Sequence, residues 1–204
     1  MAKRIGLRRT QALMEGLKRE LNMKGSTWGG KTSTAGSGLQ SGSIDAPVTR
    51  VSNIAGDIVT TIQLDLENLS GSSDAGLCIG NAEAAIAGSS PAFLYEHSNT
   101  TNGILYKIDI SCLELPAGGA ANKDFDIEGA TTGLFEHGDN PDDDPYTAYE
   151  MGGNIALQQT ITDSTVNSSD GDFFYLTAGA AGAATAAKFT AGKLVIRFYG
   201  RPDF

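Results

Sequence analysis

The sequence is poor in the residues that do chemistry. Its 204 residues include two histidines, two cysteines and one tryptophan. His97 and His137 each follow a glutamate, and neither sits in a G-x-S-x-G string or at a recognisable spacing from a cysteine. That excludes the familiar Ser/His and Cys/His nucleophile arrangements. Cys78 and Cys112 have no ligand-type residues at short spacing, so a zinc site is not expected. Both lie in apolar, strand-like segments and read as reduced, half-buried thiols, or as a disulfide if their strands are neighbours. No apolar run approaches the length of a membrane span. The basic N-terminus is not followed by an apolar stretch, so no signal peptide and no membrane partner are expected. The expectation is a non-enzymatic protein without a cofactor.

Glycine, by contrast, is abundant, at 26 residues. Such a chain makes many tight turns and close backbone approaches. Charge is divided unevenly. Residues 1–31 hold eight of the 15 cations and two of the 24 acids, a net of +6. The remainder holds seven cations and 22 acids, a net of −15. A basic arm on an acidic body points to an anionic partner for the arm. The body itself repels nucleic acid.

Within the arm, the 10–23 segment TQALMEGLKRELNM has leucines at 13, 17 and 21, the spacing of one helical face, with Thr10 as N-cap. The stripe is narrow, which suits docking on a surface. Residues 25–46 are Gly/Ser/Thr-rich and read as a linker, with Trp28 as an anchor. The linker opens with GSTWGGKT, Gly25 to Thr32, a complete match to the nucleotide-binding G-x-x-x-x-G-K-[ST] string. That chemistry needs a buried strand before the glycines and a helix after the lysine. Here a polar helix precedes and STAGSGLQSGS follows, so the match reads as a hinge.

From residue 47 the apolar period becomes two. In 57–67, Ile58, Ile62, Leu64 and Leu66 fall on one face, opposite Val59, Thr61, Gln63, Asp65 and Glu67. In 103–115, Ile104, Tyr106, Ile108, Ile110 and Cys112 alternate with Lys107, Asp109 and Ser111. Further strands are expected at 47–52, 76–80, 92–97, 123–129, 154–161, 172–178 and 193–200, the last with Leu194, Ile196 and Phe198 facing one way. The Ala-rich 178–192 stretch reads as a loop. The expected fold is all-β: an antiparallel β-sandwich or jelly-roll-like body over 47–204, behind a 1–46 unit of basic arm, short α-helix and linker.

One acidic segment, 136–150, places His137, Asp139, Asp142, Asp143 and Asp144 close together. Its spacing does not fit the EF-hand pattern. It reads as a solvated loop, with the four aspartates as weak candidates for a structural cation.

Three stretches carry a family resemblance: the opening MAKRIGLRRTQALMEGLKREL, the body with its long Thr/Asn/Asp-rich loops, and the closing AGKLVIRFYGRPDF. Together they resemble virion structural proteins of marine tailed bacteriophages, of the capsid-associated or decoration type. The resemblance implies a homo-oligomeric shell component found in the virion and made in the host cytoplasm. Its partners would be other copies of itself and a major capsid or other virion protein. Contact residues expected from the arm are Arg4, Arg8, Arg9, Leu13, Leu17, Arg19, Leu21 and Trp28. Two alternatives stand beside it: a tail or receptor-binding sandwich that recognises glycans through the acidic loop and the Tyr-rich segments (Tyr146, Tyr149, Tyr175), or a jelly-roll coat protein whose arm contacts the genome. The modest arm charge and its leucines place nucleic acid behind a protein partner.

Overall fold

The computed structural model describes residues 35–39, 47–72, 74–82, 90–118, 123–141, 145–164, 166–179 and 187–202. The 10–23 helix, Trp28, the Gly25–Thr32 string and all the arm contact residues lie outside that range. The described strands are β1 (Val48–Ile54), β2 (Asp57–Asp65), β3 (Phe93–Glu96), β4 (Ile104–Gly118), β5 (Phe125–Ala130), β6 (Pro145–Tyr149), β7 (Thr160–Asp163), β8 (Phe173–Ala178) and β9 (Phe189–Arg201). A single helical turn, α1 (Asn99–Asn102), joins β3 to β4. The strands form two antiparallel sheets, β1-β2-β9-β4-β7 and β3-β8-β5-β6.

The pairing is nested. β2 pairs β9, β3 pairs β8, β4 pairs β7 and β5 pairs β6, as if one long hairpin had been rolled into two layers. β9 then pairs β4, and β8 pairs β5. Eight strands connected in this way are a jelly roll. β1 adds a ninth strand at the free side of β2 through a two-residue turn, in which Ala55 and Gly56 both have positive φ (55° and 98°). Such turns match the twist of the flanking strands.

The core lies between the sheets. Tyr95 and Phe174 from the four-stranded sheet stack at 5.3 Å, and Phe198 from the five-stranded sheet meets both, at 4.8 and 5.2 Å. Aromatic pairs of this geometry add about 0.5–1.5 kcal/mol each beyond the area they bury. Ile62, Leu64, Ile108, Ile110, Leu194 and Ile196 complete the inner face opposite.

The alternation expected in β4 breaks at its start. The pairing with β9 shifts register between Leu105 and Lys107. This bulge reverses the phase: Leu105 enters the core, while Ile104 is 49% exposed and Tyr106 turns outward. From Ile108 to Cys112 the expected face is the buried one.

Three other boundaries differ from expectation. The strand expected at 154–161 occurs at Thr160–Asp163, because Ala156–Gln159 form a turn with Gln158 at φ 61°. The expected strand at 76–80 makes only isolated bridges, Cys78 to Thr177 and Gly80 to Ser70. β6 lies within the segment read as an acidic loop, and its Ala148 and Tyr149 are fully buried.

The linker reading also fails over residues 35–39. Gly36 and Gly38 donate to the carbonyls of Phe93 and Pro91 (2.9 and 2.7 Å), and Leu39 is buried in the core. A Cβ at either glycine would overlap the carbonyl oxygens of Pro91 or Ser90. These glycines serve close approach, not freedom. The body therefore begins at residue 35 or earlier.

Candidate functional site

The outer face of the five-stranded sheet is the most organised polar surface among the described residues. Strand register fixes its rows. Arg50, Thr61, Arg197, Asp109 and Thr162 are successive cross-strand neighbours, as are Ser52, Val59, Tyr199 and Lys107. Val48, Gln63, Val195, Ser111 and Thr160 form a third row. Odd-numbered positions of β2 and β9 face outward here because Ile62, Leu64, Leu194 and Ile196 occupy the core side.

Asp109 is the hub. Lys107 Nζ lies 3.0 Å from its Oδ2, and Thr162 Oγ1 donates to its Oδ1 at 2.6 Å. Burial works to raise the Asp109 pKa, but hydrogen bonds from Thr162, Lys107 and Tyr199 outweigh it and hold the carboxyl below its usual range. Burial, followed by the bond to Asp109, pushes the Tyr199 phenol up to about 12. Lys107 sits 4.0 Å above the Tyr199 ring, and the Arg201 guanidinium 4.8 Å above Tyr106. The Tyr106 hydroxyl donates to Asp57 at 2.9 Å, and Arg197 Nη1 donates to Ser111 Oγ at 3.2 Å. Lys193 completes the strip, 3.1 Å from Glu114 and 3.8 Å from Asp65. This arrangement can present fixed cations and hydroxyls to an anionic protein surface.

His97, His137, Asp139, Cys78, Tyr149 and Tyr175, singled out from the sequence, are not at this face. The Asp139 carboxylate accepts the Glu136 amide at 2.8 Å, closing its own turn, and the Asp139 carbonyl accepts the Cys78 amide. Asp142, Asp143 and Asp144 lie outside the described residues. Among the described residues no three His, Cys, Asp or Glu side chains are set to hold a metal. His97 is fully buried against Tyr95 and Phe174, with Nε2 3.0 Å from Asn99 Oδ1. Burial holds its pKa below the ordinary histidine value, against the opposing pull of Asn99, Asp172 and Asp170. His137 lies elsewhere, its Cβ against the backbone of Gly80.

Cys78 and Cys112 are both free and buried, so they do not pair. The Cys112 thiol contacts the Glu114 carbonyl within its own strand, while Cys78 lies beside β8 in the other sheet. Burial, with Asp139 and Glu128 adding to it, raises the Cys78 pKa far above its ordinary value, which makes the thiol inert. Tyr149 and Tyr175, read as sugar-stacking candidates, are fully buried and donate to the carbonyls of Ile161 (3.2 Å) and Thr132 (2.8 Å). They are core residues and cannot present a ring to a glycan.

Sequence reasoning placed Lys107, Asp109 and Ser111 on a polar face of one strand. It did not bring Arg50, Arg197, Tyr199 and Arg201 beside them. Arg50 inside β1, and Lys193, Arg197 and Arg201 four apart on one face of β9, were the available signal. No helix among the described residues is long and apolar enough to cross a membrane. Comparison of the chain with protein-family models, curated proteins and solved structures finds no match.

Proposed function

We propose that this chain is a virion structural protein, a capsid or head-decorating component that assembles by extending its N-terminal arm onto neighbouring copies. The observation that carries the reading is the nested strand pairing of a jelly roll behind a basic N-terminal segment. Jelly rolls serve viral capsids, lectins and cupins, so the fold alone does not assign a role. The division of charge selects among them. An arm of +6 is attracted to a neighbour's body of −15, and the leucine stripe with Trp28 then buries apolar surface at the contact.

The glycan reading loses Tyr149 and Tyr175 to the core, and the outward-facing Tyr106 and Tyr199 carry cations over their rings. Partners are other copies of the chain and a second virion protein, and the place of action is the particle. Genome contact ranks behind these, since the arm mixes Glu15, Glu20 and leucines with its cations.

The strap at 35–39 improves the test. Deleting residues 1–31 removes the arm and leaves Gly36, Gly38 and Leu39 to seat on the Pro91–Phe93 edge. The truncated chain should remain folded, by circular dichroism, and lose the rings or shells that the full chain forms in electron micrographs. Unchanged assembly after truncation would falsify the arm mechanism.

A further inference from the structure

Charge is segregated within the body as well as between arm and body. Residues 32–204 contain seven cations. Five of them, Arg50, Lys107, Lys193, Arg197 and Arg201, stand on the outer face of the five-stranded sheet. Five of the 16 described acids of these residues lie on or beside that face: Asp57, Asp65, Glu67, Asp109 and Glu114. The face therefore balances five cations with five acids, while the other described residues from 35 on, with two cations and 11 acids, are at −9. The four strands of the other sheet contain no lysine or arginine at all. That side and its loops expose Glu96, Asp139, Glu150 and Asp170.

We propose that the outer face of the five-stranded sheet docks on the four-stranded side of a second copy of this chain, in a contact that repeats head to tail. The inference rests on the reading of the chain as an assembling protein, but not on the arm. Three features support it. No described carboxylate forms an ion pair with Arg50, Arg197 or Arg201, so their charge is left for a partner even where Arg197 donates to Ser111 and Arg201 lies over Tyr106. Ile54 and Ile104 flank Asp57 and Arg201 at one end of the face and are 58% and 49% exposed, so apolar surface accompanies the charge. Arginine and tyrosine on a sheet floor are the residue types that anchor interfaces.

The charge pattern also decides the geometry. A two-fold contact through this face would crowd Arg50, Arg197 and Arg201 of both copies, none of them ion-paired among the described residues, into one interface, which is repulsive. Unlike faces attract, and a heterologous contact of unlike faces closes into rings or extends into larger arrays. A phosphate backbone is a poorer partner, because the carboxylates of Asp57 and Asp109 are interleaved with the cations.

The test uses the full chain. Arg50 and Arg201 are exposed, so R50E/R201E should keep the fold, checked by circular dichroism. Sedimentation across protein concentration should show wild-type species larger than a dimer. The double charge reversal should raise the half-assembly concentration at least tenfold. R50K/R201K should assemble like wild type, and added salt should weaken wild type more than R50E/R201E. Zero-length amine–carboxyl crosslinking of mixed light and heavy-isotope wild-type chains gives an independent readout. Lys107 or Lys193 should join Glu96, Asp139, Glu150 or Asp170 of another copy.

The proposal is overturned if R50E/R201E assembles like wild type, or if crosslinks from these lysines stay within one copy. A closed dimer that R50E/R201E disrupts, or a chain monomeric at millimolar concentration, also overturns it. So does DNA binding lost in R50E/R201E while self-assembly persists. Arm and face are separable. Assembly lost on deleting residues 1–31 but kept in R50E/R201E supports the arm and overturns the face, and the reverse result does the opposite.

Discussion

The strands of the four-stranded sheet carry no cations, and the outer side of that sheet is covered. Phe93, Phe173 and Tyr175 pack together there, Phe135 lies 5.6 Å from Tyr175, and Tyr175 reaches the Thr132 carbonyl. The five-stranded sheet carries five cations, and its outer side is a lattice of hydrogen bonds and cation–aromatic contacts. Both sheets share one core, so burial alone does not distinguish them. The difference lies in what each outer face is left to contact. One is covered by the chain's own loops, with acidic side chains at its margins, and the other leaves cations and hydroxyls at its surface.

The largest expected effect falls on the shared core. Phe174→Ala should cost about 3–5 kcal/mol by chemical denaturation, because it removes the ring packed against both Tyr95 and Phe198. A cost near that of a surface change would break the picture of one core joining two sheets. Next is the strap on the β3 edge. Gly36→Ala forces a methyl group into the Pro91 carbonyl and should cost about 1–3 kcal/mol, with faster proteolysis between residues 25 and 46 as an independent readout.

The four-stranded side should also respond to pH, in two opposed ways. His97 has a folded pKa below its unfolded value of 6.5, so the unfolded state binds its proton first and stability falls as pH drops below 6.5. His97→Gln should flatten that decline in thermal melts between pH 7 and 5. Asp126 behaves oppositely. Burial, with Asp124 and Glu150 adding to it, pushes its pKa to about 6, against the pull of the Met151 amide. The folded state binds that proton more tightly, so charged Asp126 is a cost above pH 6 that disappears on acidification. Asp126→Asn should stabilise by about 1 kcal/mol at pH 8, after discounting for solvent screening, and by nothing at pH 4.

On the five-stranded face, Thr162→Val removes a bond to the Asp109 carboxylate and should cost about 0.5–1.5 kcal/mol. Lys193→Ala, at an exposed pair, should leave the melting temperature unchanged. An effect of Lys193→Ala larger than that of Thr162→Val would reverse the ranking of part-buried over exposed polar contacts.

Much of the fold was legible because period-two alternation survives in much of β2 and β9. β6 was not, since it begins with a proline and follows an aspartate run, both loop signals. The strap was not, because Gly-Ser-Gly spells a linker unless a carbonyl waits beside each glycine. The reversed phase at Ile104 was not, because a bulge inserts one residue that local periodicity cannot register. The candidate face was half legible. Its polar residues could be assigned to one side of each strand, but not to one another.

What the sequence determined by itself is therefore local or global: the two-residue period, the thin stock of catalytic residues, and the opposition between a +6 segment and a −15 remainder. None of these depends on which strand lies beside which. Tertiary structure alone decided that β9 sits between β2 and β4. Lys193, Arg197 and Arg201 thereby came beside Arg50 and Lys107, from strands well over a hundred residues away in the case of β1. Strand order is settled by how two sheets close over a shared core, and surface charges are carried along wherever that closure puts them.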